Sequence, residues 1–322
     1  MNLITVYSRI PRLLEALQTE IPNFQFKQVT SSMEHEKDIH QSKILIADVN
    51  LLIPMLYEIS DIKFIQVTRA GVNQLIKYVN DHQLSPCCTI ARYTGPIYAK
   101  LLTEYLIYHI INHERDFDKL RANQKAKVWS HEGKIRKYRT ISDLKIGLLG
   151  VGNLGFGIAQ SLRLFGGTIY AFRKSTGQLP TIFKDVFRGK ENLPKFLKLC
   201  DYIISTLPET GDTKGLLNGQ ILEVCKDKPT VFINVGSGVI ISEQELQMAI
   251  EKKWIKAAIL DVFAKEPLLP SCPLWEMPEV SITPHVAGYN RARDIAMMFR
   301  DNLNLFQQGK PLLGVIDFKR GY

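Results

Sequence analysis

Gly150, Gly152 and Gly155 are spaced G-x-G-x-x-G, directly after an apolar run at 145–149 and directly before a helical pattern at 156–164. That order suits a dinucleotide. The first glycine permits a tight turn, the second lets a pyrophosphate approach the backbone, and the third lets helix and strand pack closely. The helix N-terminus, at Gly152, Asn153, Leu154 and Gly155, then offers unpaired N–H groups and a positive dipole end to the phosphates. Further on, the strand-like run 168–172 leads into Arg173, Lys174 and Ser175. Folds that take NAD place a carboxylate here for the ribose 2′-hydroxyl. Two cations and a hydroxyl suit a 2′-phosphate instead, so NADP(H) is expected in preference to NAD(H). His285 ends the run VSITPH, at the end of a strand, where functional groups of open α/β sheets collect. An imidazole suits protonation of a developing alkoxide. On pattern alone, a structural histidine is an equal reading.

These residues need a frame, and the chain alternates strand-like and helical runs from end to end, the signature of parallel α/β layers. Strands are expected at 3–8, 43–49, 64–68 and 89–93 before the glycine turn, and at 168–172, 202–207, 230–235, 256–263 and 280–283 after it. Helices are expected at 11–21, 51–59, 72–80, 193–199, 216–224 and 243–254. One long helix is expected over 101–120, with Leu102, Tyr105, Leu106, His109 and Ile110 on an apolar stripe, and another over 291–308 that crosses back to the first layer. The expected fold is α/β with two doubly wound Rossmann-like, flavodoxin-like domains, and the cleft between them is the expected ligand site.

At 322 residues and 45% hydrophobic content, two domains with sizeable cores are expected. No run of 18 apolar residues points to a membrane span, and the N-terminus lacks a signal-peptide pattern. The five cysteines, Cys87, Cys88, Cys200, Cys225 and Cys272, are odd in number and without metal spacing, which suggests reduced thiols and a cytoplasmic home. The net charge of +9 comes from scattered basic residues rather than a stripe interleaved with aromatics, so nucleic acid is not an expected partner. Attraction of an anionic cofactor and substrate is a better use for that charge.

With the glycine turn placed, further strings fall into register: FIQVTRAGV at 64–72, FINVGSGVIISEQEL at 232–246, DVFAKEPL at 261–268, PLWEMPEVSITPHVAG at 273–288 and PLLGVIDFKRGY at 311–322. Together they resemble the D-isomer-specific 2-hydroxyacid dehydrogenases, most of all the glyoxylate/hydroxypyruvate reductase branch. The resemblance implies a split substrate domain, 1–102 plus 287–322, with a nucleotide domain, 103–286, inserted between. It implies reduction of a small 2-keto acid to the D-2-hydroxy acid, and a homodimer, with the 101–120 helix as an interface element. His285 matches the proton donor and Glu266 the acidic partner that orients it. TRAGV matches the substrate-carboxylate cradle, with amides of Ala70, Gly71 and Val72, because Gly71 lets the chain turn and expose them. Arg69, one residue before that cradle, is a further candidate substrate contact beside Ser237, with a solvated surface arginine as the other reading. The family pattern also places Leu207, Pro208, Thr213, Val235, Gly236, Ser237, Asp261, His285 and Gly288 along the cofactor.

One position departs from the pattern. The family reads N-x-x-R-G after its sheet strand, and the arginine clamps the substrate carboxylate and polarises the carbonyl. Here Asn234-Val-Gly-Ser237-Gly238 has serine in that place. A hydroxyl offers one neutral donor where a guanidinium offers a charged bidentate fork. Two readings follow. The retained His285 and Glu266 favour an enzyme, and Ser237 favours a catalytically weak or inactive NADP(H)-binding sensor or scaffold.

Overall fold

Short apolar, β-branched runs become buried parallel strands in both halves of the chain. The structure, a computed structural model, describes residues 3–29, 39, 42–177 and 180–321. The chain divides into two units, Met1–Tyr98 with Tyr289–Tyr322, and Ala99–Gly288. The longer helices are α1 (Leu13–Glu20), α2 (Asn73–His82), α3 (Pro96–Arg115), α4 (Phe117–Ala126), α5 (Asn153–Leu164), α6 (Leu193–Leu199), α7 (Glu243–Glu251) and α8 (Ala292–Gln307).

In the first unit, β1 (Leu3–Tyr7), β2 (Gln25–Gln28), β3 (Ile44–Ala47), β4 (Phe64–Val67) and β5 (Thr89–Ala91) lie in the order β2-β1-β3-β4-β5, all parallel. This is the flavodoxin-like order. β3 and β4 are buried along their whole length, so ILIA and FIQV show no polar alternation. Leu45 and Ile65 face a cluster with Leu75 and Val79 of α2. Ile46 and Phe64 face the other cluster, with Leu17 of α1 and Ile295, Phe299 and Leu303 of α8. The expected return of the last helix to the first layer is therefore observed.

The second unit adds β6 (Lys145–Leu149), β7 (Thr168–Phe172), β8 (Phe183–Phe187), β9 (Tyr202–Ser205), β10 (Val231–Asn234), β11 (Ala257–Leu260) and β12 (Val280–Ile282). Their order is β12-β11-β10-β9-β6-β7-β8, again parallel throughout. The order reverses between β6 and β9, and the carboxyl ends of strands at such a switch point are where ligands of open α/β sheets bind. No helix among the described residues is long and apolar enough to cross a membrane. All five cysteines are free thiols, and Cys200 and Cys225 are buried.

The expected elements need four corrections. The 101–120 helix is α3 and α4, which part at Asp116, held in the left-handed region at φ 55°. Aspartate is one of the few residues that tolerate it. The stretch 216–224 is turn and a 3₁₀ segment, Ile221–Cys225, because Gly215 and Gly219 take φ of 63° and 74°. The stretch 51–59 breaks into a helical turn, Val49–Leu52, and a 3₁₀ turn, Ile53–Met55, where Pro54 supplies no amide. The expected strands do not include the edge strands β2 and β8, QFKQ and FKDVF, where polar residues interrupt the apolar run.

A polar clamp ties the segment before β6 to α3. Glu114 is buried and accepts from Arg139 Nη2 at 2.8 Å and from the Tyr202 hydroxyl at 2.8 Å. Burial opposes its charge, yet these donors hold its carboxyl below the usual range. Next to it, Lys134 Nζ donates to His113 Nε2 at 3.0 Å. Burial, reinforced by that ammonium, pushes His113 from 6.5 down to about 4. As pH falls between those values the unfolded chain takes up a proton that the folded imidazole refuses, so stability is lost on acidification. Calorimetry should show a smaller fall in Tm from pH 7 to 4.5 for His113→Gln than for the wild type.

Candidate functional site

Each glycine of the turn answers a steric demand. Gly150 has φ 93°, and a Cβ there would lie 2.9 Å from Leu207 Cδ2. A Cβ on Gly155 would lie 2.2 Å from the Gly150 carbonyl oxygen, so helix and turn meet backbone to backbone. Gly152 faces open space and begins α5 without a side-chain cap, which leaves the first-turn amides at Asn153, Leu154 and Gly155 for a ligand. The Thr206 hydroxyl donates to the Gly150 carbonyl at 2.8 Å and pins the turn. An open, uncapped amide cluster of this kind fits a pyrophosphate.

At the carboxyl end of β7, Arg173 Nε donates to Ser175 Oγ at 2.6 Å. Lys174 Nζ pairs with Asp212 at 2.6 Å. Arg188, just past β8, donates to the Ser175 carbonyl at 3.1 Å, so a further arginine joins this edge. Sequence reasoning missed it because the strand that delivers it was itself unexpected.

Two loops lie beside the turn. Thr213 Oγ1 donates to the Pro208 carbonyl at 2.7 Å and accepts from Thr210 N at 2.9 Å, which closes the loop after Leu207. Asn234 Nδ2 donates to the Ser237 carbonyl at 2.9 Å and its Oδ1 accepts from Gly236 N at 3.2 Å. A Cβ on Gly236 would lie 2.7 Å from Leu207 N and O, so the Val235–Ser237 loop packs backbone to backbone on its neighbour. Ser237 is half-buried, with extended backbone at φ −120°, and its hydroxyl has no hydrogen-bond partner among the described residues.

His285 Nδ1 meets Glu266 Oε2 at 2.7 Å, and Glu266 Oε1 accepts from Phe263 N at 3.0 Å. The carboxylate thus orients the ring while the backbone orients the carboxylate. His285 sits in the left-handed region at φ 55°, a conformation that costs a non-glycine residue on the order of 1–2 kcal/mol. Asp261 holds it there. Its buried carboxylate accepts from Thr283 Oγ1 at 2.6 Å, Val286 N at 2.8 Å and Ala287 N at 2.9 Å, and its carbonyl accepts from His285 N at 2.9 Å. Thr283 spends its proton on Asp261, so the Tyr105 hydroxyl, 2.7 Å away, donates to Thr283. Burial pushes that hydroxyl up to about 12. Tyr105→Phe should lower the unfolding free energy by about 1 kcal/mol in chemical denaturation, the net worth of one such bond. Gly288 closes this unit.

In the first unit, Arg69, Ala70, Gly71 and Val72 connect β4 to α2. Val72 caps the helix without a side-chain acceptor. Among the described residues, the amides of Ala70, Gly71 and Val72 donate to no protein acceptor. The Arg69 side chain is exposed, and its carbonyl accepts from Tyr93 N at 3.2 Å. Just before this turn, Asp48 accepts from Ser8 Oγ, Arg9 N and Thr68 Oγ1 at 2.7, 2.8 and 2.6 Å and gathers the carboxyl ends of β1, β3 and β4.

The family model for the D-isomer specific 2-hydroxyacid dehydrogenase, NAD binding domain, matches residues 107–287. Glyoxylate/hydroxypyruvate reductase A of Escherichia fergusonii is 31% identical over 255 residues, covering 79% of this chain and 80% of that protein. The structure of a D-isomer specific 2-hydroxyacid dehydrogenase family protein from Aeromonas salmonicida superposes with a TM-score of 0.84 at 29% identity, covering 98% of this chain and 99% of that one. A D-isomer specific 2-hydroxyacid dehydrogenase from Xanthobacter autotrophicus, in complex with NADPH and MES, gives 0.84 at 26% identity and covers 100% of this chain and 99% of that one. With its glycine turn, its His285–Glu266 pair and these relatives, the chain belongs to the D-isomer-specific 2-hydroxyacid dehydrogenase family, in its glyoxylate/hydroxypyruvate reductase-like branch.

Proposed function

We propose that this protein is an NADP(H)-preferring reductase of a small 2-keto acid of the glyoxylate or hydroxypyruvate class, forming the D-2-hydroxy acid. The observation that carries the reading is the 2.7 Å His285–Glu266 pair, which leaves Nε2 for a substrate oxygen. The first unit is the substrate domain and holds the substrate carboxylate on the amides of Ala70, Gly71 and Val72. The second is the nucleotide domain. Its amides at Gly152–Gly155 take the pyrophosphate, and Leu207, Pro208, Thr213, Val235, Gly236 and Gly288 line the rest of the cofactor. When bound, the reduced nicotinamide supplies the hydride. His285 protonates the carbonyl oxygen as it becomes a hydroxyl, and Glu266 stabilises the charged ring that precedes the transfer. Asp261 acts by holding the His285 loop.

The preference for NADP(H) rests on Arg173 and Ser175, already bonded to each other, with Arg188 behind them. The NADPH in the Xanthobacter autotrophicus relative supports it. Unpaired thiols fit a reducing cytoplasm. Exposed apolar side chains along α3, α4 and the segment after them, Tyr108, Phe117, Val128, Trp129 at 93% and Tyr138, suit a homodimer surface.

Ser237 favours a second reading, an NADP(H)-binding sensor or scaffold with little turnover. A panel of 2-keto acids with NADPH and NADH, followed by nicotinamide absorbance, separates the two. Reduction of glyoxylate or hydroxypyruvate is expected, and calorimetric titration should show tighter NADPH than NADH. Tighter NADH binding would overturn the cofactor preference. No turnover of any 2-keto acid beside tight NADPH binding would establish the second reading.

A further inference from the structure

Position 237 of the second unit holds a neutral serine where the family pattern reads arginine. The first unit carries one against the cradle itself. Arg92 is half-buried and follows β5, and its Nη1 donates to the Ala70 carbonyl at 3.3 Å. Its own backbone is fixed, since Arg92 N donates to the Gly314 carbonyl at 2.9 Å and Tyr93 N to the Arg69 carbonyl at 3.2 Å. Gly314 is seated closely enough that a Cβ there would lie 2.7 Å from the Arg92 carbonyl oxygen. The two carbonyls that open the cradle, those of Arg69 and Ala70, are therefore both held by residues 92 and 93.

The peptide bond turns this contact into an aim. The Ala70 carbonyl and the Gly71 N–H belong to one planar trans unit and point in opposite directions. A guanidinium on the oxygen therefore turns the N–H the other way. Gly71 needs such a restraint, because nothing lies within 4 Å of where its Cβ would be and its backbone has a glycine's freedom. A cation on the carbonyl also polarises the unit and makes the N–H a stronger donor. The positive charge ends about 8 Å from an anion on that N–H, the sum of two hydrogen bonds and a peptide width.

We infer that Arg92 is a positioning residue for the substrate carboxylate, aiming and polarising the Gly71 amide and placing a positive charge near it. The inference rests on the 2-keto-acid reading of the site. A unit charge at about 8 Å and an effective dielectric of 20 corresponds to roughly 30-fold in affinity.

The test measures KM for glyoxylate and hydroxypyruvate, NADPH affinity, and calorimetric binding of oxalate to the NADP⁺-loaded protein. Arg92→Met keeps most of the stem and removes the charge, and should raise KM and weaken oxalate by roughly 30-fold, with kcat changed less and NADPH affinity within about twofold. Arg92→Lys keeps the charge without the fork and should recover part of the loss, which a packing role would not predict. If Arg92→Met does not fold, Arg92→Gln takes its place: a raised KM with unchanged NADPH affinity supports the inference and a wild-type KM overturns it. Wild-type KM and oxalate affinity in a folded Arg92→Met protein would overturn the inference alone. A wild-type protein that neither binds oxalate nor reduces either keto acid would overturn the reading of the site, and the inference with it.

Discussion

His285→Gln should lower turnover by roughly 10²- to 10⁴-fold, the usual contribution of a positioned general acid, while NADPH affinity stays within about twofold. Glutamine cannot carry a proton to the alkoxide. In the reading proposed above, the cofactor is held mainly by the glycine turn and the Arg173–Ser175 edge of the second unit. A group that acts mainly in the transition state lowers kcat and kcat/KM together. The backbone of the loop depends on Asp261 and not on the imidazole, so the variant should fold. Steady-state kinetics with NADPH and a calorimetric titration of the same preparation make the comparison. Wild-type turnover in the variant would remove His285 from the mechanism.

Ser237→Arg should move activity the other way. The position has extended backbone at φ −120°, which any residue adopts, and its hydroxyl gives up no partner among the described residues on replacement. The neighbours that fix the loop are Asn234, through Gly236 N and the Ser237 carbonyl, and these bonds are main-chain at the 236–237 end. A guanidinium there restores the fork the family uses, and reduction of glyoxylate or hydroxypyruvate should rise by about 10-fold or more, in keeping with the worth of one positioned charge at a developing oxyanion. Robust wild-type turnover, near the median kcat of about 10 s⁻¹, with no gain in the variant would mean that the carboxylate clamp is complete without it.

The parts of this site that were legible in the sequence are those where chemistry constrains consecutive residues. Gly150, Gly152 and Gly155 had to be glycines for reasons of φ, access and close packing, and their spacing says so. His285 and Glu266 stand out through the strings around them. The positioning residues had no such signature. Tyr105 and Thr283 are 178 residues apart, and Arg92 and Ala70 are 22 apart, so only the fold makes them neighbours. Arg188 was hidden with β8, since an edge strand half open to water need not be apolar. The α3–α4 break at Asp116 was hidden for a related reason. The side-chain pattern runs on across a single left-handed residue, and periodicity does not register one backbone angle.

The seam between β5 and the stretch around Gly314 bears on how the polypeptide is made. Ile316 N bonds to the Ile90 carbonyl, Arg92 N bonds to Gly314, and buried Asn302 of α8 bonds to Gln66 of β4. The segment after Gly288 thus supplies buried parts of the first unit, although the whole second unit is translated before it. On the ribosome the second unit has all its strands while the first still waits, with Gln66 short of a partner and one flank of Phe64 uncovered. The late-translated residues complete the domain that was begun first, and through Gly314 and Arg92 that completion reaches the turn at Ala70–Val72.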